Sequence, residues 1–200
     1  MVKNIIFDFG DVFINLDKEI LSRELTELPS PLLLTRLKLL NDDFEIGHIG
    51  AEGFLEGLQQ AFPGRGRKTL LTLWNSMLLD FPVRRLEFLE KLAQTRKYRL
   101  FLLSNTNELH IPHVAQKLGD SDYNRFRSSF EGFYLSHEIG LRKPDKEIFE
   151  FVLQKHLLYP QETLFIDDTL ENIEAAAGIG LQTWHLQVGQ EDITQLKSRL

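Results

Sequence analysis

The sequence predicts an α/β fold: a doubly wound, Rossmann-like parallel sheet of five strands, with a small helical bundle inserted after the first strand. Three observations lead there. Five short apolar runs, near residues 4–7, 99–103, 130–135, 163–166 and 181–186, alternate with stretches of helical periodicity, the order expected of strand–helix–strand crossovers. The first run, residues 4–7, reads as a strand covered on both faces of a parallel sheet. Residues 18–82, by contrast, show helical spacing and no strand pattern, so they read as a separate bundle. The chain therefore divides into a discontinuous α/β core, residues 1–16 with 83–200, and an inserted helical unit, residues 17–82.

Taken in order, Asn4 to Phe7 is a buried strand whose carboxyl end carries Asp8. In the inserted unit, Ile20, Leu21, Leu25 and Leu28 recur at helical spacing, and Pro29 and Pro31 interrupt them. Leu32 to Leu40 resume the pattern, Phe54 to Phe62 give a third amphipathic piece and Leu70 to Leu78 a fourth, with Trp74 in its core stripe. Val83, Leu86, Leu89 and Ala93 mark the first helix of the returning core. The strand Arg99 to Leu103 follows and ends in Ser104 and Asn105. A helix over about 108–118 precedes the aromatic strand Phe130 to Leu135. Leu141 Arg142 Lys143 Pro144 then leads into a helix bearing Ile148, Phe149, Val152 and Leu153, with Pro144 suited to its first turn. Thr163 to Ile166 is a strand ending in Asp167 and Asp168. A short helix closes at Gly178 or Gly180, and residues 181–186 supply the last strand.

Composition narrows the function. The chain has 200 residues and a net charge of −6, which argues against a nucleic-acid-binding scaffold, since that needs a basic face. There are no cysteines, which excludes disulfides, thiolate metal sites and a cysteine nucleophile and fits a reducing cytoplasm. No signal peptide is visible and no run approaches the roughly 20 apolar residues of a membrane span. The expectation is a cytoplasmic protein with neither membrane nor nucleic acid as partner.

In a parallel sheet the carboxyl ends of the strands share one edge, so Asp8, Ser104 with Asn105, Lys143, and Asp167 with Asp168 should converge. A buried carboxylate such as Asp8 needs a cation or a set of donors. Carboxylates from two strands make an oxygen-rich pocket suited to Mg²⁺. A hydroxyl, backbone amides and an ammonium suit a phosphoryl group, with Asp8 as a nucleophile that forms an aspartyl-phosphate. Each residue also has a plainer reading: Asp8 opening a turn before Gly10, Ser104 and Asn105 as a turn, and Asp168 as an N-cap answered by Glu171. Lys143 sits badly at a helix N-terminus, where the dipole disfavours cations, and so points to another task. His110 and His113 are three apart, a weak metal hint read as structural, like His137 and His185. Gly64 to Thr69 lacks the glycine before Lys68 and a preceding strand, so it is not a P-loop. Asn172 is left open between a surface position and a contact to the Asp pair.

Four ordered signals, FDFGDV at 7–12, LLSNTN at 102–107, RKPD at 142–145 and IDDTLENI at 166–173, resemble the haloacid dehalogenase superfamily over nearly the full length. FDFGDV, SNTNELH and LRKP look most like a bacterial branch that contains an α-glucose-1-phosphate phosphatase. The resemblance implies Asp8 as nucleophile, Ser104 and the Asn105 amide on phosphate, and Lys143 bridging nucleophile and phosphate. It implies Mg²⁺ on Asp8, the Gly10 carbonyl and Asp168, with Asp167 holding a metal-bound water, and the insert as a cap that selects substrate. Most phosphatases of the superfamily carry a general-acid Asp two positions after the nucleophile, where this chain has Gly10. Asp11, one residue on, cannot be assumed to substitute.

The function expected is hydrolysis of a small phosphorylated metabolite, plausibly a sugar phosphate. The alternatives are a catalytically weak protein that binds phosphometabolites or a partner, supported by Gly10 alone, and a 2-haloacid dehalogenase, for which the Asp167 and Asp168 pair would be superfluous.

Overall fold

The computed structural model describes residues 1–20, 23 and 31–200. Its strands are β1 (Asn4–Phe7), β2 (Arg99–Ser104), β3 (Gly132–Leu135), β4 (Thr163–Asp167) and β5 (Gln182–His185). They form one sheet in the order β3-β2-β1-β4-β5, and every neighbouring pair is parallel. β1 lies at the centre and is buried along its whole length, which is why its sequence is apolar on both faces.

The alternation of strand side chains divides the core into two layers. Ile5, Phe7, Leu100, Leu102, Leu164 and Ile166 face one side, where α4 (Val83–Gln94), α5 (His110–Leu118), α6 (Asp120–Ser128) and the 3-10 turn Ile193–Ser198 cover them. Ile6, Phe101, Leu103 and Phe165 face the other, against α8 (Lys146–His156) and α9 (Leu170–Gly178). The fold is thus a doubly wound α/β sheet, as the strand and helix order requires. The short α7 (Ser136–Ile139) follows β3 directly.

Three helices, α1 (Pro31–Glu45), α2 (Ala51–Ala61) and α3 (Arg67–Asn75), gather around a separate apolar cluster of Phe44, Phe54, Leu55, Leu58, Leu70 and Trp74. Phe44 stacks on Phe54 with ring centroids 4.2 Å apart, and Phe54 meets Trp74 at 4.6 Å. Of the helical pattern expected over residues 20–28, Leu21, Leu25 and Leu28 lie outside the described residues. None of the described helices is long and apolar enough to cross a membrane.

Two expectations differ from the structure. α6 has no counterpart in the sequence pattern, because Phe126 is its one buried side chain and a single apolar residue shows no period. Pro144 does not open α8: that helix begins at Lys146, after the N-cap residue Asp145.

The helical unit is joined to the core by a two-stranded ribbon and by side chains. Asn15 and Leu16 run antiparallel to Leu78–Asp80, with Asn15 N–H donating to the Asp80 carbonyl and Leu79 N–H to the Asn15 carbonyl, both at 2.9 Å. Lys117 on α5 donates to the carbonyls of Leu78 and Leu79, each at 2.7 Å. His110, also on α5, stacks on Trp74 at 5.0 Å and lies 3.3 Å from the Trp74 carbonyl. A carbonyl only accepts, so His110 Nε2 carries the proton and Nδ1 accepts from the Asn107 amide at 3.2 Å. Asn107 Oδ1 is fixed in turn by the N–H groups of Leu109 and His110.

Burial, only partly opposed by the Trp74 carbonyl, lowers the His110 pKa from 6.5 to about 4. A second proton, on Nδ1, would face the amide hydrogens of Asn107. The unfolded chain therefore binds this proton more readily than the folded one, so the stabilisation is complete above pH 6.5 and is lost as pH falls from 6.5 towards 4. Its full size is about 3 kcal/mol. Urea unfolding at pH 7 and pH 4 should show wild type losing about 3 kcal/mol more than His110→Gln over that interval.

Candidate active site

The site is set by strand register. Phe7 is level with Leu102 of β2 and with Ile166 of β4, so Asp8 is level with Asp167 on the adjacent strand. Parallel neighbours lie about 4.8 Å apart and point same-level side chains to the same face, which brings the two carboxylates together. Asp8, Asp167 and Asp168 each offer an oxygen, and these atoms lie within 4.8 Å of one another.

Asp8, Asp167 and Lys143 are buried. Lys143 Nζ lies 2.5 Å from Asp8 Oδ1 and 2.7 Å from Asp167 Oδ2, so one ammonium serves two carboxylates. Burial raises the Asp8 pKa; Lys143 opposes the shift, Asp167 and Asp168 add to it, and the balance stands at about 7. Burial works against the Lys143 charge, yet Asp167 and Asp8 outweigh it and lift its pKa above the usual lysine value. Asp168 is also raised by burial, with Lys18 drawing it back.

Loops fix these groups. Asn105, after β2, uses its side chain on the backbone of Lys143: the Asn105 amide donates to the Lys143 carbonyl and Asn105 Oδ1 accepts the Lys143 N–H, both at 2.9 Å. Its backbone N–H is left free for an anion, and among the described residues the N–H groups of Phe9, Gly10 and Asn105 donate to no protein acceptor. The Ser104 hydroxyl lies beside them, with a 3.3 Å contact to the Asn105 carbonyl. Asp167 is oriented by three donors, Lys143, Thr169 N–H at 2.8 Å and the Asn172 amide at 3.0 Å. Asn172 is thus a contact to the Asp pair, resolving the choice that the sequence left open. His185 on β5 lies 2.9 Å from the Asp168 carbonyl and steadies that loop.

Position 10 and its neighbour decide what proton chemistry is present. A Cβ on Gly10 would stand 3.7 Å from Asp8 Oδ2 and 2.8 Å from Leu16 Cδ1, so the Leu16 methyl fills the place a side chain would take. Asp11 does not replace it. Its backbone is left-handed, φ +54°, and its carboxylate accepts the Leu16 N–H at 2.9 Å and pairs with Lys18 at 3.0 Å, outside the wall of the cavity described next.

Above the carboxylates opens a cavity of about 780 Å³, bounded by the core on one side and by α1, α2 and α3 on the other. Arg142, one residue before Lys143, reaches across to α1, with Nη1 3.1 Å from Asp42 and Nη2 2.8 Å from Glu45. Lys18, on the ribbon side, pairs with Asp168 as well as Asp11. Arg142 is visible in the sequence only as part of RKPD, and nothing in the pattern around Lys18 marks it.

Comparisons with known proteins give the family. The model of the haloacid dehalogenase-like hydrolase family matches residues 2–180. A D-ribitol-5-phosphate phosphatase of Bacteroides thetaiotaomicron is 28% identical over 200 residues, covering 96% of this chain and 95% of the relative. A HAD family enzyme of the same bacterium, solved with magnesium and inorganic phosphate, superposes with a TM-score of 0.79 at 32% identity, covering 96% of this chain and 97% of that one. A HAD-like hydrolase from Porphyromonas gingivalis gives a TM-score of 0.80 at 27% identity over 100% of this chain and 98% of its own. With four motifs converging on one sheet edge and a family model spanning most of its length, the chain belongs to the haloacid dehalogenase-like hydrolases.

Proposed function

We propose that this hydrolase is a Mg²⁺-dependent phosphatase acting on small phosphorylated metabolites of the sugar or polyol phosphate class, with Asp8 as nucleophile. The observation that carries the reading is the approach of Asp8, Asp167 and Asp168 oxygens to within 4.8 Å, with Lys143 between two of them on the floor of the cavity. Asp8, Asp11, Asp167 and Asp168 are four carboxylates against the two ammoniums of Lys143 and Lys18, and an all-oxygen donor set fits Mg²⁺. Asp8, Asp168 and the Gly10 carbonyl would hold the ion, and Asp167 would hold one of its waters. When bound, the ion supplies neutralising charge to the phosphate oxygens. The relative that acts on D-ribitol-5-phosphate and the neighbour solved with magnesium and phosphate support both the substrate class and the metal.

The side chains divide the work as follows. Lys143 occupies Asp8 Oδ1, while Oδ2 makes no hydrogen bond among the described residues and is the oxygen that attacks phosphorus. The Oδ2–P bond forms as the ester P–O bond breaks. The N–H groups of Phe9, Gly10 and Asn105, with the Ser104 hydroxyl and Lys143, receive the phosphoryl oxygens, where spread negative charge needs fixed donors. With Leu16 filling the space at Gly10, no acid stands at that position, and the departing oxygen takes its proton from water. A water then attacks phosphorus, phosphate leaves and the Asp8 carboxylate is restored. The helices α1–α3 act as the cap that shapes the cavity and excludes solvent. A 2-haloacid dehalogenase would leave the Asp167 and Asp168 pair without a task, and a pure binding module would leave the uncommitted Asp8 oxygen without one.

Three outcomes are expected. Phosphate release should vanish with EDTA, return with Mg²⁺, and fall by roughly 10³-fold or more in Asp8→Asn; equal turnover by wild type and variant would remove Asp8 from the chemistry. Lys143→Met leaves two buried carboxylates unpaired and should cost about 3–5 kcal/mol in metal-free denaturant unfolding. Because a positioned acid typically contributes roughly 10²–10⁴ in rate, anomeric and aryl phosphates should be cleaved faster than simple alkyl phosphates, and the reverse order would show that another group does the protonation.

A further inference from the structure

The cavity wall contributed by α1 is graded. Leu34, Leu37, Lys38, Asn41, Asp42 and Glu45 recur at three- and four-residue spacing and all line the cavity, so one face of the helix is apolar towards its start and polar towards its end. The polar end is the one that Arg142 fixes to the core. Because Arg142 immediately precedes Lys143, the segment that brings the ammonium to Asp8 also sets the height and rotation of α1 above it.

Almost every polar group on that face is already engaged. Lys38 pairs with Asp42, Asp42 and Glu45 pair with Arg142, and the charges cancel locally. Asn41 differs. It is half-buried, it lines the cavity, and its carboxamide makes no hydrogen bond among the described residues. A half-buried amide on the wall of a cavity keeps a donor and an acceptor to offer. A hydroxyl has the same pair of functions and carries no charge, so it is matched by a neutral amide better than a phosphate or a carboxylate would be.

We propose that Asn41 is a specificity-determining residue of this site, hydrogen-bonding a hydroxyl of the leaving group and thereby favouring polyhydroxylated phosphomonoesters over apolar ones. The inference rests on the phosphatase reading of the Asp8 site and adds the group that recognises the part of the substrate beyond phosphorus. Two features make the contact productive. The amide sits on a helix pinned at its far end, so little ordering is required on binding. It also lies on the cap, away from the carboxylates and Lys143, so its loss should leave the reacting groups in place.

The test compares two kinds of substrate in wild type, Asn41→Leu and Asn41→Gln, with Mg²⁺ present: hexose 1-phosphates and pentitol 5-phosphates on one side, phenyl phosphate, which has no hydroxyl, on the other. Loss of the hydrogen bond to a substrate hydroxyl should raise KM for the preferred hydroxylated phosphate about 10-fold in Asn41→Leu, with kcat within about twofold. Phenyl phosphate kinetics should be unchanged, and Asn41→Gln should recover part of the loss. Equal effects on both kinds of substrate would make Asn41 a structural residue and overturn the inference. So would an unaltered KM for every hydroxylated phosphate, which leaves the phosphatase reading standing, or a wild type that cleaves phenyl phosphate and no hydroxylated one, which leaves the Asp8 phosphatase chemistry standing and removes the sugar or polyol substrate class. No Mg²⁺-dependent turnover of any of them would overturn that reading, and this inference with it.

Discussion

The structure is organised around an electrostatic debt at the centre of the sheet. Register places Asp8 and Asp167 at one level on adjacent strands, where both are buried and water cannot screen them. Like charges in such a place cannot both persist without a counter-charge, and Lys143 is inserted between them. Much of the surrounding polar detail follows from that need. Asn105 grips both the N–H and the carbonyl of Lys143, and Asn172 with the Thr169 N–H adds two further donors to Asp167. The arrangement leaves one Asp8 oxygen uncommitted, and that asymmetry within a single carboxylate gives the site its direction.

The same segment couples the floor of the cavity to its roof. Arg142 and Lys143 are consecutive, so the pairing with Asp42 and Glu45 on α1 and the pairing with Asp8 cannot be adjusted independently. On the far side, His110 and Lys117 of α5 secure Trp74 and the returning strand of the ribbon. The helical unit is therefore clasped at these separated points, through polar contacts at each and a ring stack at one, and the Glu108 carboxylate also accepts the Ala51 N–H at the start of α2. Polar clasps of this kind are individually modest in strength, since several are partly exposed, and they fix geometry more than they add stability.

The fold was legible because the central strands β1, β2 and β4 carry short apolar runs bounded by polar residues, as at Leu100 to Leu103 before Ser104. Convergence of Asp8, Lys143 and Asp167 could be read for a similar reason, since the carboxyl ends of parallel strands have only one edge to share. What escaped the sequence depends on contacts between loops or on backbone angles. The use of the Asn105 side chain on Lys143 joins residues far apart in the chain, and no periodicity reports it. The fate of Asp11 turned on a left-handed φ that an aspartate tolerates without advertising. The meaning of Gly10 needed Leu16: absence of a side chain at position 10 is visible in the letters, but the methyl that fills the gap is not. α6 was missed because Phe126 alone anchors it, and Arg142 was seen as part of a motif without its partners on α1.

The paired crossing at Asn15–Leu16 and Leu78–Asp80 bears on how such a molecule can diversify. The outgoing and incoming segments are hydrogen-bonded to each other, so the excursion between them begins and ends at nearly one place. The entropic toll of closing a long loop rises only slowly with its length. An excursion of almost any size can therefore be grafted at that point, lost from it or exchanged there, while the strand registers that align the acids stay as they are.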